Sequence, residues 1–339
     1  VDGIYIERSL GTAEISNNII RTIRRSNAAV SSSRWVNGIR MYWNNQSLYY
    51  KIFNNSISNL LSSYAGASSN ATGVVGIHIP SANLGPSVIF EIYNNSISLD
   101  GSTFPNASSV CFANSSSSKT FLIKNNVFAN FTGAQTGVAY HACLYSNAAT
   151  SYGNASSLDD YNCYYAGDTA NGYFGRAVNT YYKTLADWQA AMTLNPGTDA
   201  NSQVANPNFV NNATDLHPTS ASTSLDGTGT TPPAYVTTDA DCKPRTSPHD
   251  IGAYWAGCWA EGGTVSPNSA TVCAQQTYVM SAAGASSYPG ISYQWQRATT
   301  PGGPYSNVSG GSGATTTSYT TAKLTTGTYY YVLKVTCPG

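Results

Sequence analysis

The sequence predicts an all-β chain, a solenoid of stacked parallel strands followed by a small β-sandwich. Three observations carry this. A short motif recurs every thirty to forty residues, and the loops between its copies vary in length. After Trp259 the pattern gives way to alternating strands separated by Gly, Pro and Ser turns.

The motif reads "EISNNIIRTI" (14–23), "KIFNNSISNL" (51–60) and "EIYNNSISLD" (91–100), with a looser copy "LIKNNVFANF" (122–131). Its Asn pairs are Asn17-Asn18, Asn54-Asn55, Asn94-Asn95 and Asn125-Asn126, separated by 37, 40 and 31 residues. A second element precedes each copy: "GIYI" (3–6), "GIRM" (38–41), "GIHI" (76–79) and a degenerate "VCFA" (110–113), with "ACLY" (142–145) a candidate fifth. Constant strands joined by elastic loops are what a solenoid requires, because its units share one core. Alignment on the Asn pairs puts Ile15, Ile52, Ile92 and Ile123 in one column and Ile20, Ile57, Ile97 and Phe128 in another. Rungs lie about 4.8 Å apart, so these columns make a continuous dry interior. The Asn pair falls at the bend between two strands, where asparagine tolerates left-handed backbone and can stack as a hydrogen-bonded ladder. A third column, Glu14, Lys51, Glu91 and Leu122, alternates in sign, worth roughly 0.2–1 kcal/mol per stacked pair.

Composition narrows the function. Only 9% of the 339 residues are charged and the net charge is zero, so the basic surplus that nucleic acid demands is missing. No run reaches the ~20 apolar residues of a membrane span, so direct membrane insertion is not expected. The opening "VDGIYIERSL" reads as a strand rather than a signal peptide, and the chain is expected to be an interior piece of a longer polypeptide. Seven cysteines without C-x-x-C or Cys/His spacing argue against zinc and for an exported protein with two or three disulfides and one free thiol. "TLADWQAAM" (184–192) is the one expected helix: Thr184 caps it, Asp187 takes the reciprocal position, and Leu185, Trp188 and Met192 share a face.

The "G-I-x-I … x-I-x-N-N-x-I" pattern resembles the right-handed parallel β-helix repeat of the pectin-lyase-like superfamily. The stretch 180–254 is similar to the closing coils of bacterial secreted β-helix proteins. It carries the short helix, Asp199 and Ser202 of a "D-x-x-S" turn, Asn206-Pro207 to Val210, Asp215 and His217, Ser222 to Gly227, and Asp250 to Tyr254. The resemblance implies a parallel β-helix with closing coils over 1–260. Beyond it, "TVCAQQTYVMSA", "ISYQWQRA" and "GTYYYVLKVTC" resemble strands of an immunoglobulin-like sandwich over 261–339, with Trp295 as the core tryptophan. Cys273 and Cys337 would then bridge strands, and Cys242 with Cys258 would close the loop before the junction; Cys111 and Cys143 stack in adjacent rungs as thiols or as a bridge. The module is similar to tandem Ig-like repeats of Bacteroidetes surface proteins, which implies export by the type IX route and a secreted or cell-surface location. "DTA" (168–170) resembles their O-glycosylation motif, making Thr169 a candidate modified residue.

Candidate chemistry is sparse. Residues 1–150 hold five acids, Asp2, Glu7, Glu14, Glu91 and Asp100, too scattered for the paired carboxylates of a hydrolase. Asp159-Asp160 is expected in a solvated loop, with a cation site as the alternative, and the four His suggest no triad. The candidate ligand face is the outward column of the "GIxI" strands, read as Tyr5, Arg40, His78 and Phe112 with Tyr42 beside it. Aromatic and guanidinium groups on a flat sheet suit a sugar polymer. The expected function is therefore a non-catalytic segment of a long bacterial surface or secreted adhesin, touching glycans or other modules of the same polypeptide. No catalytic residue, metal or cofactor is assigned. The alternatives are a polysaccharide lyase or hydrolase, which alone would bring Ca²⁺, and a carbohydrate-binding module.

Overall fold

Each copy of the repeat folds as one coil of three strands. The first coil holds β1 (Asp2–Ile6), β2 (Gly11–Ser16) and β3 (Ile19–Arg25); the second, β4 (Val36–Met41), β5 (Ser47–Phe53) and β6 (Ser56–Ser62). The third holds β7 (Val74–Ile79), β8 (Ile89–Tyr93) and β9 (Ser96–Leu99); the fourth, β10 (Ser109–Asn114), β11 (Thr120–Lys124) and β12 (Val127–Asn130). The fifth holds β13 (His141–Ser146), β14 (Leu158–Asp160) and β15 (Cys163–Ala166). The stack ends with β16 (Gly172–Ala177), β17 (Thr180–Tyr182), α1 (Leu185–Ala191) and β18 (Gln203–Val204). This computed structural model describes residues 1–6, 11–25, 35–41, 47–62, 73–80, 88–100, 108–116, 118–132, 140–167, 172–257, 260–287 and 290–337.

Like strands of successive coils pair in parallel into three sheets. Sheet A runs β1-β4-β7-β10-β13-β16 with β17 antiparallel at its end; sheet B runs β2-β5-β8-β11-β14; sheet C runs β3-β6-β9-β12-β15-β18. The aliphatic columns are in register as expected: Ile15, Ile52, Ile92 and Ile123 pair in sheet B, and Ile20, Ile57, Ile97 and Phe128 in sheet C, none more than 7% exposed. The column Glu14, Lys51, Glu91 and Leu122 is also in register. Tyr235 joins its charges: the Lys51 ammonium lies 4.0 Å from the Tyr235 ring centroid, and the Tyr235 hydroxyl donates to Glu91 Oε2 at 2.8 Å.

The two asparagines of each pair do different work. The first is left-handed, with φ of 55°, 53°, 51° and 57° at Asn17, Asn54, Asn94 and Asn125. The second points inward and builds the ladder: Nδ2 of Asn18, Asn55 and Asn95 each donates to the Oδ1 of the next at 2.9 Å, and Asn126 Nδ2 to Asn162 Oδ1 at 3.0 Å. Asn162 belongs to a fifth copy in which Tyr161, φ 56°, replaces the first asparagine. The ladder ends where Asn162 N–H donates to Ser202 Oγ at 2.9 Å.

Residues 205–256 add no coils, contrary to the resemblance-based expectation for this stretch. They run back along the stack as a strap, starting from β19 (Phe209–Asn211) and β20 (Asp215–Pro218), an antiparallel pair. The strap carbonyls accept from the outward serines of sheet C, Ser98 Oγ to Asn212 O at 2.6 Å and Ser58 Oγ to Ala213 O at 2.8 Å; Arg21 of the first coil donates to Thr214 O. Further along the strap, Asn125, Asn54 and Asn94 donate Nδ2 to the carbonyls of Thr230, Thr238 and Asp250 in turn. Phe209, Leu216, Leu225, Ile251 and Tyr254 form a second core with Val127, Ala129 and Cys163. "NNSIS" thus spells out strap, ladder, strap, core, strap.

The glycines of "GIxI" occupy a bend where two successive residues face inward. A Cβ on Gly38 would meet Ile57 Cγ2 at 2.5 Å and Gly76 O at 2.7 Å; one on Gly76 would meet Ile97 Cγ2 at 2.5 Å. In the fourth coil Cys111 takes this place, Val110 pairing with Val75 and Phe112 with Ile77. The expected alignment of "VCFA" on "GIHI" is therefore off by one. A shift of one residue reverses the face, so Phe112 is fully buried in the core and Ala113 stands opposite His78.

Thr184 caps α1, its Oγ accepting from Asp187 N–H at 3.1 Å and donating to Asp187 Oδ2 at 2.7 Å. The helix closes the far end of the stack. Trp188 is fully buried over Gly175, where a Cβ would meet its ring at 2.5 Å.

The chain divides into compact units Val1–Ala256 and Gly257–Gly339. The second contains two three-stranded antiparallel sheets, β21 (Thr264–Ser266), β22 (Val279–Ala283) and β25 (Ser318–Thr320), and β24 (Ser306–Asn307), β23 (Ser292–Ala298) and β26 (Tyr330–Thr336). Trp295 is fully buried among Met280, Ala282, Tyr319 and Leu333, and its Nε1 donates to Thr316 O at 2.8 Å.

Two cysteine expectations are corrected. Cys242 and Cys273 are free, exposed thiols, while Cys337 is disulfide-bonded, so neither the Cys273–Cys337 nor the Cys242–Cys258 pairing forms. Cys273 accepts through its carbonyl in a turn ahead of β22, whereas Cys337 follows β26 of the other sheet. Cys242 sits in a left-handed turn, φ 64°. Cys111 and Cys143 stack as buried free thiols. Tyr42, Thr169 and Cys258 lie outside the described residues.

Candidate functional site

The strap occupies sheet C and leans on sheet B through Tyr235 and Val236, which pack with Phe53, Tyr93 and Leu122. The outward face of sheet A carries the richest side chains. Register fixes two columns there. One is Asp2, Asn37, Val75, Val110, Ala142 and Tyr173; the other is Tyr5, Arg40, His78, Ala113, Tyr145 and Arg176. Tyr5, Arg40 and His78 thus stand in one line, as the sequence suggests, and Arg40 Cζ lies 5.7 Å from the Tyr5 ring centroid.

The small side chain of Ala113 leaves a gap between His78 and Tyr145. There a cleft of about 310 Å³ opens, walled by Trp35, Tyr140 and Arg176 as well. Trp35 and His78 rings lie 5.6 Å apart. Arg176 sits among three tyrosines, Cζ at 4.5, 5.6 and 5.2 Å from the ring centroids of Tyr140, Tyr145 and Tyr181, and its Nη2 donates to Asn179 Oδ1 at 3.1 Å. These rings hold the guanidinium plane. Among the described residues, no Asp or Glu lines the cleft.

His78 is fixed in a neutral form. Burial, and then the positive charge of Arg40, pull its pKa down to about 3. Asn37 Nδ2 donates to Asp2 Oδ1 at 2.6 Å, which turns Asn37 Oδ1 toward His78 Nδ1 at 3.1 Å. The imidazole proton therefore lies on Nδ1, leaving Nε2 an acceptor. The cleft offers a flat aromatic wall, a stacked cation and one neutral acceptor. It can bind a polar, ring-shaped ligand. The sequence reading missed Trp35, Tyr140, Tyr145 and Arg176. The signal was "ACLY" and "GYFGRA" read with the cysteine, and then Phe174, in the glycine place.

Two other polar groups belong to the strap and the closed end. His217 bridges Asp215 through Nδ1 and Asp241 through Nε2, the latter at 2.8 Å, and lies 3.9 Å from the Tyr254 ring centroid. Despite an opposing contribution from burial, the two carboxylates raise its pKa to about 9, so it is an imidazolium staple within the strap. Asp159-Asp160, expected in solvent, is buried: Asp159 pairs with Ile123 at the end of the aliphatic column, and Asp160 accepts from Asn201 N–H at 2.7 Å and Nδ2 at 2.9 Å. Among the described residues, no three His, Cys, Asp or Glu side chains converge as a metal site needs. A larger groove of about 660 Å³ lies in the second unit, lined by residues such as Pro267, Val272, Tyr278 and Tyr329. It brings no comparable set of fixed groups together.

Against known proteins, residues 261–338 match the family described as "Domain of unknown function (DUF8696)". No curated protein and no solved structure matches the chain. Among the described residues, no helix is long and apolar enough to cross a membrane.

Proposed function

We propose that this chain is a non-catalytic, carbohydrate-contacting segment of a long bacterial surface or secreted protein. Its solenoid would serve as a rigid spacer and its sheet A as the contact face. The observation that carries the reading is the Ala113 cleft, where Trp35, Tyr145 and the tyrosine-stacked Arg176 converge beside neutral His78. Sugars present apolar C–H faces rimmed by hydroxyls, and rings next to a cation and an acceptor suit both parts. On this reading Tyr5 and Arg40 extend the same face toward the first coil. The second unit is read as an immunoglobulin-like spacer built on Trp295, which fits a tandem array of modules.

The test is a glycan array with wild type, Trp35→Ala and Tyr145→Ala. Losing one stacking ring is worth about 1 kcal/mol or more, so affinity for any bound glycan should fall at least about fivefold while the melting temperature holds. Binding that is unchanged in both variants refutes the cleft as the contact. Release of reducing or unsaturated ends from a polysaccharide panel would favour an enzyme over this reading.

A further inference from the structure

The Ala113 cleft has an apolar floor beneath a polar rim. Val110 and Ala113 form the floor, buried with Tyr140 in an outward cluster of sheet A against which Trp35 and Tyr145 pack. Ala113 makes the room: in the same column the neighbouring coils carry His78 on one side and Tyr145, then Arg176, on the other.

Hydrogen-bonding roles at the rim are fixed from two directions. Asn37 Oδ1, turned by Asp2, lies 3.1 Å from His78 Nδ1 and takes its proton, so His78 Nε2 accepts. Arg176 Nη2 donates to Asn179 Oδ1 at 3.1 Å, which leaves Asn179 Nδ2 to donate. His78 and Asn179 both line the cleft. An acceptor, a donor and a patch of aliphatic carbon therefore share a space of about 310 Å³, which suits one substituted sugar ring.

We propose that the sugar taken by this cleft carries an acetamido group, as an N-acetylhexosamine does. The proposal rests on the carbohydrate reading of the same cleft and narrows it. An acetamide holds a donor, an acceptor and a methyl group in one rigid plane. Its N–H gives to His78 Nε2, its carbonyl accepts from Asn179 Nδ2, and its methyl group lies on Val110 and Ala113, while the ring's C–H face meets the aromatic wall. Other substituents satisfy only part of this set. A hydroxyl can donate to Nε2 but covers none of the apolar floor. A carboxylate has acceptors only, so it would turn an oxygen toward the Nε2 lone pair. A free amine is an ammonium and would be brought up against the Arg176 guanidinium. The neutrality of His78 decides between them, since an imidazolium would donate and favour an acid.

The experiment measures binding of the full chain to glycans that differ at a single carbon. Chitotetraose is set against cellotetraose, and an N-acetylgalactosaminide against the matching galactoside, with deacetylated chitotetraose and tetragalacturonate alongside. At least one acetamido sugar should bind about tenfold or more tightly than its hydroxyl twin and than the amino and acidic oligomers. In saturation-transfer NMR its acetyl methyl protons should receive the strongest transfer, a readout that needs no variant. Ala113→Val fills the floor from an outward strand position and should erase most of the preference while the melting temperature holds. Equal binding of the twins, or tighter binding of the galacturonate, overturns the acetamido assignment and leaves carbohydrate contact standing. A preference that survives Ala113→Val, or weak transfer to the methyl protons, overturns the assignment as well. Binding of none of these sugars also overturns it, and silence across a wider glycan array removes the carbohydrate reading with it.

Discussion

Tyr164 poses a problem of proton supply. Its hydroxyl lies 2.8 Å from Asp199 Oδ1 and 3.2 Å from Asp159 Oδ1, and all three residues are fully buried or nearly so. Asn162 Nδ2 also donates to Asp159 Oδ1 at 2.6 Å, yet two buried carboxylates here share few donors, which favours a proton on one of the acids. The second oxygens, Asp159 Oδ2 and Asp199 Oδ2, and the Tyr152 hydroxyl have no hydrogen-bond partner among the described residues. Burial and mutual repulsion raise Asp159 well above the usual carboxylate range, and burial chiefly raises Asp199 to about 7. Acids with raised pKa favour the fold most below their ordinary value of 3.8 and lose that contribution as the pH climbs through about 7. Asp159→Asn should therefore show a flatter urea midpoint between about pH 4 and pH 8, and a higher midpoint than wild type at the alkaline end. Parallel curves would dismiss the shared proton. The imidazolium of His217 also loses its contribution toward pH 9, in both proteins alike, so the comparison isolates the acids. Sequence reading left Asp159 in solvent because the fifth copy, "LDDYNCYYA", keeps only Asn162 of the pair and puts acids where Ile and Lys stand elsewhere.

At the level of elements, the asparagine pair gives a contrast between inside and outside. Asn95 is fully buried and donates to Ile52 O, Tyr93 O and Asn126 Oδ1, while accepting from Asn55. Asn95→Ala orphans several buried groups and should cost at least about 2 kcal/mol in urea unfolding. Asn54→Gly keeps the left-handed backbone and loses contacts to the Thr238 carbonyl and Arg245, about 1 kcal/mol. Equal losses would contradict the division of labour. The same pair shows what sequence can disclose. Periodicity exposed the bend, the ladder and both aliphatic columns, since those depend on one residue type per rung. The strap was hidden, because its bonds join Ser58 and Ser98 to carbonyls more than a hundred residues away, which carry no side-chain signature. The off-by-one at Phe112 has a similar cause: at the bend two residues face inward, and alternation fails.

For the whole molecule, the thiols report on both units at once. Under native conditions a thiol reagent should label Cys242 and Cys273 and leave Cys111, Cys143 and Cys163 untouched until unfolding. Burial raises the pKa of Cys143 and Cys163 to about 12, which suppresses their thiolates as well as their access. Rapid native labelling of four or five thiols would mean that the stack opens readily. The expectation of bridges at Cys242 and Cys273 came from resemblance and composition, which do not specify which strand ends meet. The candidate cleft was legible only in part, since Tyr5, Arg40 and His78 fall in early, regular copies while Tyr145 and Arg176 fall in degenerate ones.

The return path of residues 205–256 also acts as a ruler. Its carbonyls at Asn212, Ala213 and Thr214 meet side chains of the third, second and first coils, and Thr230 O meets the fourth. Each rung occupies about 4.8 Å, whereas an extended residue advances only about 3.3 Å. Slipping one more rung into the middle would demand one or two extra residues on each pass and would break every match beyond it. Inserting a rung into the middle of the stack is therefore costly, and the rungs beneath the strap are locked in number by the tape that measures them.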